Sequence, residues 1–234
     1  MERAGGHWDL PVLNTCLQLL SPGQVFYDIG ANVGYMAIEA ASRLGDKIRT
    51  YAFEPQPELA RNVAISAALN GLKNVQVFTA MLGREPGEAT LFIPSHSIHA
   101  SAVSAEAGAT AISCPMTTID ELVQGGVMAP PDVIKIDVEG AERDVFEGAR
   151  RTLTQHRSAI VFESDRNAER FGYTRRQLCD LLRQMADYVF YDIPQLAGDH
   201  AKPRAMEEAM FDDDHFNRDL LALPSGRTLR DQVG

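Results

Sequence analysis

The first chemical signal is the run Gly30-Ala31-Asn32-Val33-Gly34, with Asp28 just before it. Residues 25–29 are otherwise apolar and read as a buried parallel strand, and Tyr35, Met36 and Ile38 open a helical pattern. Strand, glycine turn and helix N-terminus make a crevice in which backbone N–H groups and the positive helix end face a nucleotide-type ligand. Spacing narrows the ligand. A pyrophosphate-binding turn reads G-x-G-x-x-G, and Asn32 stands where its second glycine belongs, which limits close approach to a diphosphate. Asp28 adds a like charge beside phosphates, whereas a sulfonium and an ammonium are attracted to it. Residues 48–53 read as the next strand and run into Glu54-Pro55, placing an acid about 20 residues past the turn, where a ribose diol is gripped. Asp28, Gly30, Asn32, Gly34, Glu54 and Pro55 therefore read as one S-adenosylmethionine site.

Further acids fall on the same edge. Asp28, Glu54, Asp137 and Glu163 all end predicted parallel strands, and ligands of open α/β sheets bind at that edge. Asp137 borders the cofactor, and with Glu139 it flanks the place where an acceptor meets the methyl group. Methyl transfer from a sulfonium is an in-line displacement that needs alignment, exclusion of water and removal of one hydroxyl proton. Alignment supplies roughly 7–11 kcal/mol, against about 3–5 kcal/mol for a base. Asp137 or Glu139 is the expected base, with His99 next. Apolar Met81, after Ala80 at the end of the third strand, is placed to pack on an adenine ring. A rival use of Asp137, Glu139 and Glu163 is to hold a divalent cation such as Mg²⁺, although no tight ligand spacing indicates a metal.

These residues need an alternating α/β frame. A helix is predicted over residues 10–20, a second over 34–44, and a third over 57–69 with Pro57 in its first turn and Asn70-Gly71 as its stop. Residues 75–80 are the third strand. Residues 88–93 and 112–116 look like a hairpin inserted at about 86–122, and residues 94–110 between them suit a lid or binding loop carrying His96 and His99. Residues 132–137 are the fourth strand, followed by helix to about Leu153. Lys135 shares a strand face with Val133 and Asp137, so it needs a carboxylate partner. Residues 158–163 are the fifth strand, 173–185 a helix, and 188–193 and 219–223 an antiparallel finish. The division is an N-terminal flanking helix (1–22), one main domain (23–225) and a C-terminal tail (226–234).

Composition bounds the partners. With 234 residues, 45% hydrophobic and 23% charged, the chain suits one large globular domain. Its formal charge of −10 disfavours nucleic acid as substrate. Arg175-Arg176 reads as a solvated helix face, and the acids at 212–214 as a solvated loop. Cys16, Cys114 and Cys179 lack disulfide or zinc spacing and read as buried thiols. No apolar run is long enough for a membrane span, and residues 1–9 lack a signal-peptide core, so a cytoplasmic location is expected.

The segments DIGANVGYMAIEAA (28–41), AFEPQPELARNVAISAALNGL (52–72), TTIDEL (117–122) and VIKIDVEGAERDVFEGA (133–149) together resemble the FkbM family of methyltransferases. The similarity runs over residues 25–224. It implies a Rossmann-like class I methyltransferase fold: a seven-stranded, mostly parallel sheet with helices on both faces and an antiparallel last strand. It also implies S-adenosylmethionine and an O-methylated hydroxyl on a sugar or polyketide-type natural product. A small-molecule or glycan acceptor follows from this. Two alternatives share the fold: a dinucleotide-dependent oxidoreductase, which Asn32 disfavours, and a non-catalytic adenosylmethionine-binding module.

Overall fold

The computed structural model of the chain describes residues 10–93, 109–164, 171–194, 202–212 and 218–230. The first half contains α1 (Leu10–Leu19), β1 (Val25–Ile29), α2 (Tyr35–Leu44), β2 (Arg49–Phe53), α3 (Pro57–Leu69) and β3 (Val75–Phe78). An insert follows: β4 (Met81–Leu82), β5 (Gly87–Ile93), β6 (Thr110–Thr117) and α4 (Ile119–Gln124). The second half contains β7 (Val133–Ile136), α5 (Glu142–Glu147), α6 (Arg150–His156), β8 (Ala159–Ser164) and α7 (Arg175–Arg183). It closes with β9 (Tyr188–Ile193), β10 (Arg204–Ala205), α8 (Glu208–Phe211) and β11 (Arg218–Pro224).

The large sheet has eight strands in the order β10-β9-β11-β8-β7-β1-β2-β3. From β3 to β8 neighbours run parallel, while β11 lies antiparallel between β8 and β9. Seven strands are expected from the sequence; the eighth is β10, which pairs only Arg204 with Asp192 and Ala205 with Tyr191. Two residues carry no periodicity to read. Arg204 holds this edge through an ion pair to Asp192 at 3.2 Å, which Arg218 joins at 3.0 Å.

Every residue of β1 and β7 is buried, because helices cover both faces of the sheet. Alternation sorts the core into two layers. Phe26, Val133, Val161 and Leu221 pack with α1 and α2 through Leu13, Cys16, Met36 and Ala40. Tyr27, Ile29, Ile134, Ile136 and Phe162 pack on the opposite face with Phe146, Leu153, Leu178 and Leu182. Lys135 and Asp28 belong by alternation to the first face, under α2.

The insert is a three-stranded sheet, order β4-β6-β5. The expected hairpin pairs from Gly87↔Met116 to Ile93↔Thr110, and β4 adds a parallel neighbour, Met81↔Met116. The expected loop at 94–110, with His96 and His99, lies almost wholly outside the described residues.

Two expectations change. The helix predicted to run to about Leu153 is broken into α5 and α6 at Gly148, where the backbone passes so close to Gly83 that a Cβ would stand 1.9 Å from its carbonyl oxygen. The new helix start is capped from a distance: Asp120 accepts from the amides of Arg151 (2.9 Å) and Thr152 (2.8 Å). Arg175 is also not a solvated residue. It is 1% exposed, and its guanidinium donates to the Ser164 hydroxyl and carbonyl and to the Met210 carbonyl. Only Arg176 takes the surface role, pairing with Glu208 and Asp212. Residues 226–230 of the expected tail lie against the domain, with Arg227 donating to the carbonyls of Asp132 and Leu19.

Candidate active site

The sheet order reverses direction around β1, whose neighbours β2 and β7 lead away on opposite sides. That is the topological switch point, and the carboxyl ends of β1, β2 and β7 form its edge. The turn after β1 is built by backbone constraints. Gly30 has φ 74°, and a Cβ there would lie 1.8 Å from the Asp137 carbonyl oxygen, so β1 and β7 meet without room for a side chain. Gly34 has φ 84° and faces Val63 of α3, where a Cβ would lie 2.8 Å from both Val63 methyl carbons. Asn32, between them, is left-handed at φ 51°, a shape asparagine tolerates better than most residues.

Glu54 closes the other side of the crevice. It is 4% exposed; its Oε2 accepts from the Asn32 amide at 2.8 Å and its Oε1 from the Gln56 amide at 2.9 Å. Burial raises its pKa above 4.5, against the lowering effect of those two amides. Each carboxylate oxygen retains acceptor capacity beyond these bonds. The side-chain oxygen Oδ1 of Asn32 is buried and has no hydrogen-bond partner among the described residues, an open acceptor beside the turn. Pro55 is half-buried at the start of the turn that leads into α3.

Asp28 sits deeper than its sequence position suggests. It is fully buried, with Oδ2 accepting from the Ala37 amide at 2.9 Å and Oδ1 lying 3.6 Å from Lys135 Nζ. Its side chain points toward α2, so it braces the glycine turn and the helix start from below rather than lining the mouth. Burial raises its pKa; Lys135 and the Ala37 amide oppose this. Lys135 is the hub the strand pattern demands: Nζ also donates to the Gly30 carbonyl at 3.3 Å and to Asp137 Oδ2 at 3.4 Å. The cross-strand register Asp28↔Lys135 makes this pairing unavoidable.

Asp137 and Glu139 stand together at the end of β7. The Asp137 side chain is 38% exposed, so it reaches the edge while tethered to Lys135. Glu139 is partly exposed and left-handed at φ 55°, followed by Gly140 at φ 103°. A non-glycine residue in that region costs of order 1–3 kcal/mol and marks a turn held by its surroundings. Ala80 and Met81 are half-buried beyond β3, with Met81 fixed in β4 by Met116 rather than in an open loop. Glu163 is the next-to-last residue of β8, one step past the Ile136↔Phe162 pair and so level with Asp137 on the neighbouring strand, with Asp219 of β11 on its other side. Among the described residues no group of three or more His, Cys, Asp or Glu side chains comes together as a metal site. His99 lies outside the described residues.

Sequence reasoning missed Glu142 and Tyr173. Glu142 is 3% exposed and bonded to the amides of Val138 and Gly140 and to the Tyr173 hydroxyl. Its place one residue after a Gly-Ala pair looks like an ordinary helix start, and Tyr173 is too distant in sequence for spacing to link them.

A switch-point crevice with a left-handed glycine turn, a buried acid at the end of β2 and an antiparallel strand tucked beside the fifth parallel one defines the Rossmann-like class I methyltransferase fold. Solved structures share it. A methyltransferase FkbM from Methylobacillus flagellatus KT superposes with TM-score 0.55 at 15% identity, covering 85% of this chain and 43% of that one. A precorrin-6y C5,15-methyltransferase from Geobacter metallireducens gives 0.52 at 13% identity, covering 95% and 90%. The O-methyltransferase TomG from Streptomyces achromogenes, solved with S-adenosylmethionine, gives 0.51 at 15% identity, covering 93% and 78%. The methyltransferase FkbM domain model matches residues 28–190, and the chain belongs to this family. The hexuronic acid methyltransferase AglP of Haloferax volcanii is 26% identical over 151 residues, covering 64% of this chain and 60% of that protein. The chain thus spans under two thirds of the length of that relative and under half of the Methylobacillus protein. Among the described residues no helix is long and apolar enough to cross a membrane.

Proposed function

We propose that the chain is an S-adenosylmethionine-dependent O-methyltransferase whose acceptor is a hydroxyl of a sugar. The observation that carries the cofactor is the pair Glu54 and Asn32. A buried carboxylate with acceptor capacity left over, beside an unpartnered Asn32 oxygen, suits a ribose diol and an ammonium. The same crevice suits a diphosphate poorly: both acceptors repel phosphate, and Asn32 replaces the glycine such a ligand needs. The acceptor class rests on the hexuronic acid methyltransferase as a relative. A polyketide-type alcohol is the second acceptor class, kept in the test because the sequence motifs leave both classes open.

When bound, the cofactor supplies an electrophilic methyl group. Everything else falls to the chain. Glu54, Asn32 and the turn from Gly30 to Gly34 orient the ligand; Asp28 and Lys135 hold that turn rigid from below, Lys135 through the Gly30 carbonyl. Asp137 and Glu139 face the acceptor side, where one of them accepts a hydrogen bond from the attacking hydroxyl and then its proton. Lys135 keeps Asp137 in place for this. Because alignment outweighs base strength in such a displacement, a rigid turn at Asp137 matters more than a strongly basic group.

The test is transfer of label from methyl-labelled S-adenosylmethionine to a panel of hexuronic acids, neutral hexoses and polyketide alcohols. Labelled sugar with little labelled polyketide is expected. Labelling of polyketide alone would move the acceptor to the second class. Binding without any turnover across the panel, in a protein longer at either end as well, would leave only the binding-module reading.

A further inference from the structure

The turn that carries Asp137 and Glu139 is gripped from beneath. Glu142, at the start of α5, accepts through Oε1 from the amides of Val138 and Gly140, each at 3.3 Å. Its Oε2 lies 2.8 Å from the Tyr173 hydroxyl, and that hydroxyl donates to the Gly140 carbonyl oxygen at 2.6 Å. The proton count is decisive. A tyrosine hydroxyl has one hydrogen, whereas a carbonyl oxygen and an ionised carboxylate only accept. The two short contacts are satisfied together when Glu142 carries a proton and donates it to Tyr173.

The surroundings agree with this count. Burial pushes the Glu142 carboxyl up from 4.5 to about 7. Among the described residues no cation pairs with it. On its own helix Arg143 pairs with Glu147, and Arg84 reaches across to Asp144. On α7, Arg175 bonds Ser164 and Met210, Arg176 bonds Glu208 and Asp212, and Arg183 bonds Asp180. Lys135 of β7 faces Asp28 and Asp137. The ionisable groups in the turn itself, Asp137 and Glu139, are acids and supply no counter-charge.

We propose that Glu142 and Tyr173 are positioning residues: a protonated Glu142 carboxyl, linked through the Tyr173 hydroxyl to the Gly140 carbonyl, locks the 137–140 turn in its left-handed shape. Its relevance to methyl transfer rests on the reading of Asp137 and Glu139 as the acceptor-side acids. Loss of the shared proton leaves the Tyr173 oxygen facing two acceptors with one hydrogen, so one contact is lost and the turn loosens. Order at the turn therefore falls as pH rises.

The test needs no acceptor. Amide hydrogen exchange of peptides covering 137–142 is followed from about pH 5 to about pH 9, corrected for intrinsic exchange, in wild type, Glu142→Gln, Glu142→Ala and Tyr173→Phe. Glutamine mimics the protonated acid: its amide donates to Tyr173 and its oxygen accepts from Val138 and Gly140. The expected result is protection that drops about tenfold across the range in wild type, stays high throughout in Glu142→Gln, and is low throughout in Tyr173→Phe and in any folded Glu142→Ala. A wild-type profile without that drop, or a Glu142→Gln profile like that of Tyr173→Phe, overturns the proposal. S-adenosylhomocysteine titration of the same wild-type sample reports separately on the cofactor reading, so either can fail alone.

Discussion

Replacing Lys135 with methionine removes the cation shared by Asp28 and Asp137 while keeping most of the packed stem. Asp28 is then a fully buried acid held by the Ala37 amide, which donates to its Oδ2. Breaking a buried pair from one side costs about 3–5 kcal/mol, because the partner is left without compensation. Asp137→Asn removes the other carboxylate from the same hub, but that side chain is 38% exposed and Lys135 keeps Asp28. Its cost should be about 1 kcal/mol or less. The assay is urea unfolding at about pH 5 and about pH 8. The sign is fixed by Asp28: burial raises its folded pKa above 3.8, and losing Lys135 raises it further. A group so raised contributes stability present below 3.8 that is lost as pH rises through the folded value. The deficit of Lys135→Met relative to wild type should therefore widen from pH 5 to pH 8. Equal losses in the two variants would refute the hub and would make Asp137 the structural counter-charge of Lys135. Small loss of stability with a fall in turnover of at least tenfold in Asp137→Asn would support it as base or acceptor anchor.

Other outcomes follow from the same geometry. Gly30→Ala combines a left-handed backbone with a Cβ 1.8 Å from the Asp137 carbonyl, whereas Gly23→Ala has φ 88° and open space; thermal unfolding should show about 1 kcal/mol for Gly23 and several for Gly30. Glu54→Gln keeps the shape but not the charge, and should weaken S-adenosylhomocysteine binding by about 10- to 100-fold in calorimetry, corresponding to about 1.5–3 kcal/mol. Glu142, raised from 4.5 to about 7, stabilises the fold fully below pH 4.5 and loses roughly 3 kcal/mol as pH rises past 7; Glu142→Gln should flatten that part of the stability–pH curve.

The glycine turn and the placing of Glu54 beside it were legible because backbone geometry dictates residue type there: left-handed or crowded positions select Gly30, Gly34 and Asn32, and an acid at the end of the next strand comes level with the turn in an α/β unit. The need of Lys135 for a carboxylate was equally legible from burying a charge in an apolar strand. Which carboxylate was not, because the register Asp28↔Lys135 joins strands more than 100 residues apart and no local pattern encodes it. The same gap hid the true depth of Asp28, the burial of Arg175 against Ser164, and the Glu142–Tyr173 pair. The break between α5 and α6 depends on a backbone contact between Gly148 and Gly83, again across distant segments. β10 was too short to leave any periodicity at all.

The central claim is that the β1–β2 crevice holds S-adenosylmethionine. Isothermal titration calorimetry of the folded chain with S-adenosylhomocysteine, and in parallel with NAD and NADH, tests it most directly. Saturable one-to-one binding of the nucleoside, with no heat from either dinucleotide, is expected. Binding of NAD or NADH, with no response to S-adenosylhomocysteine, would contradict it.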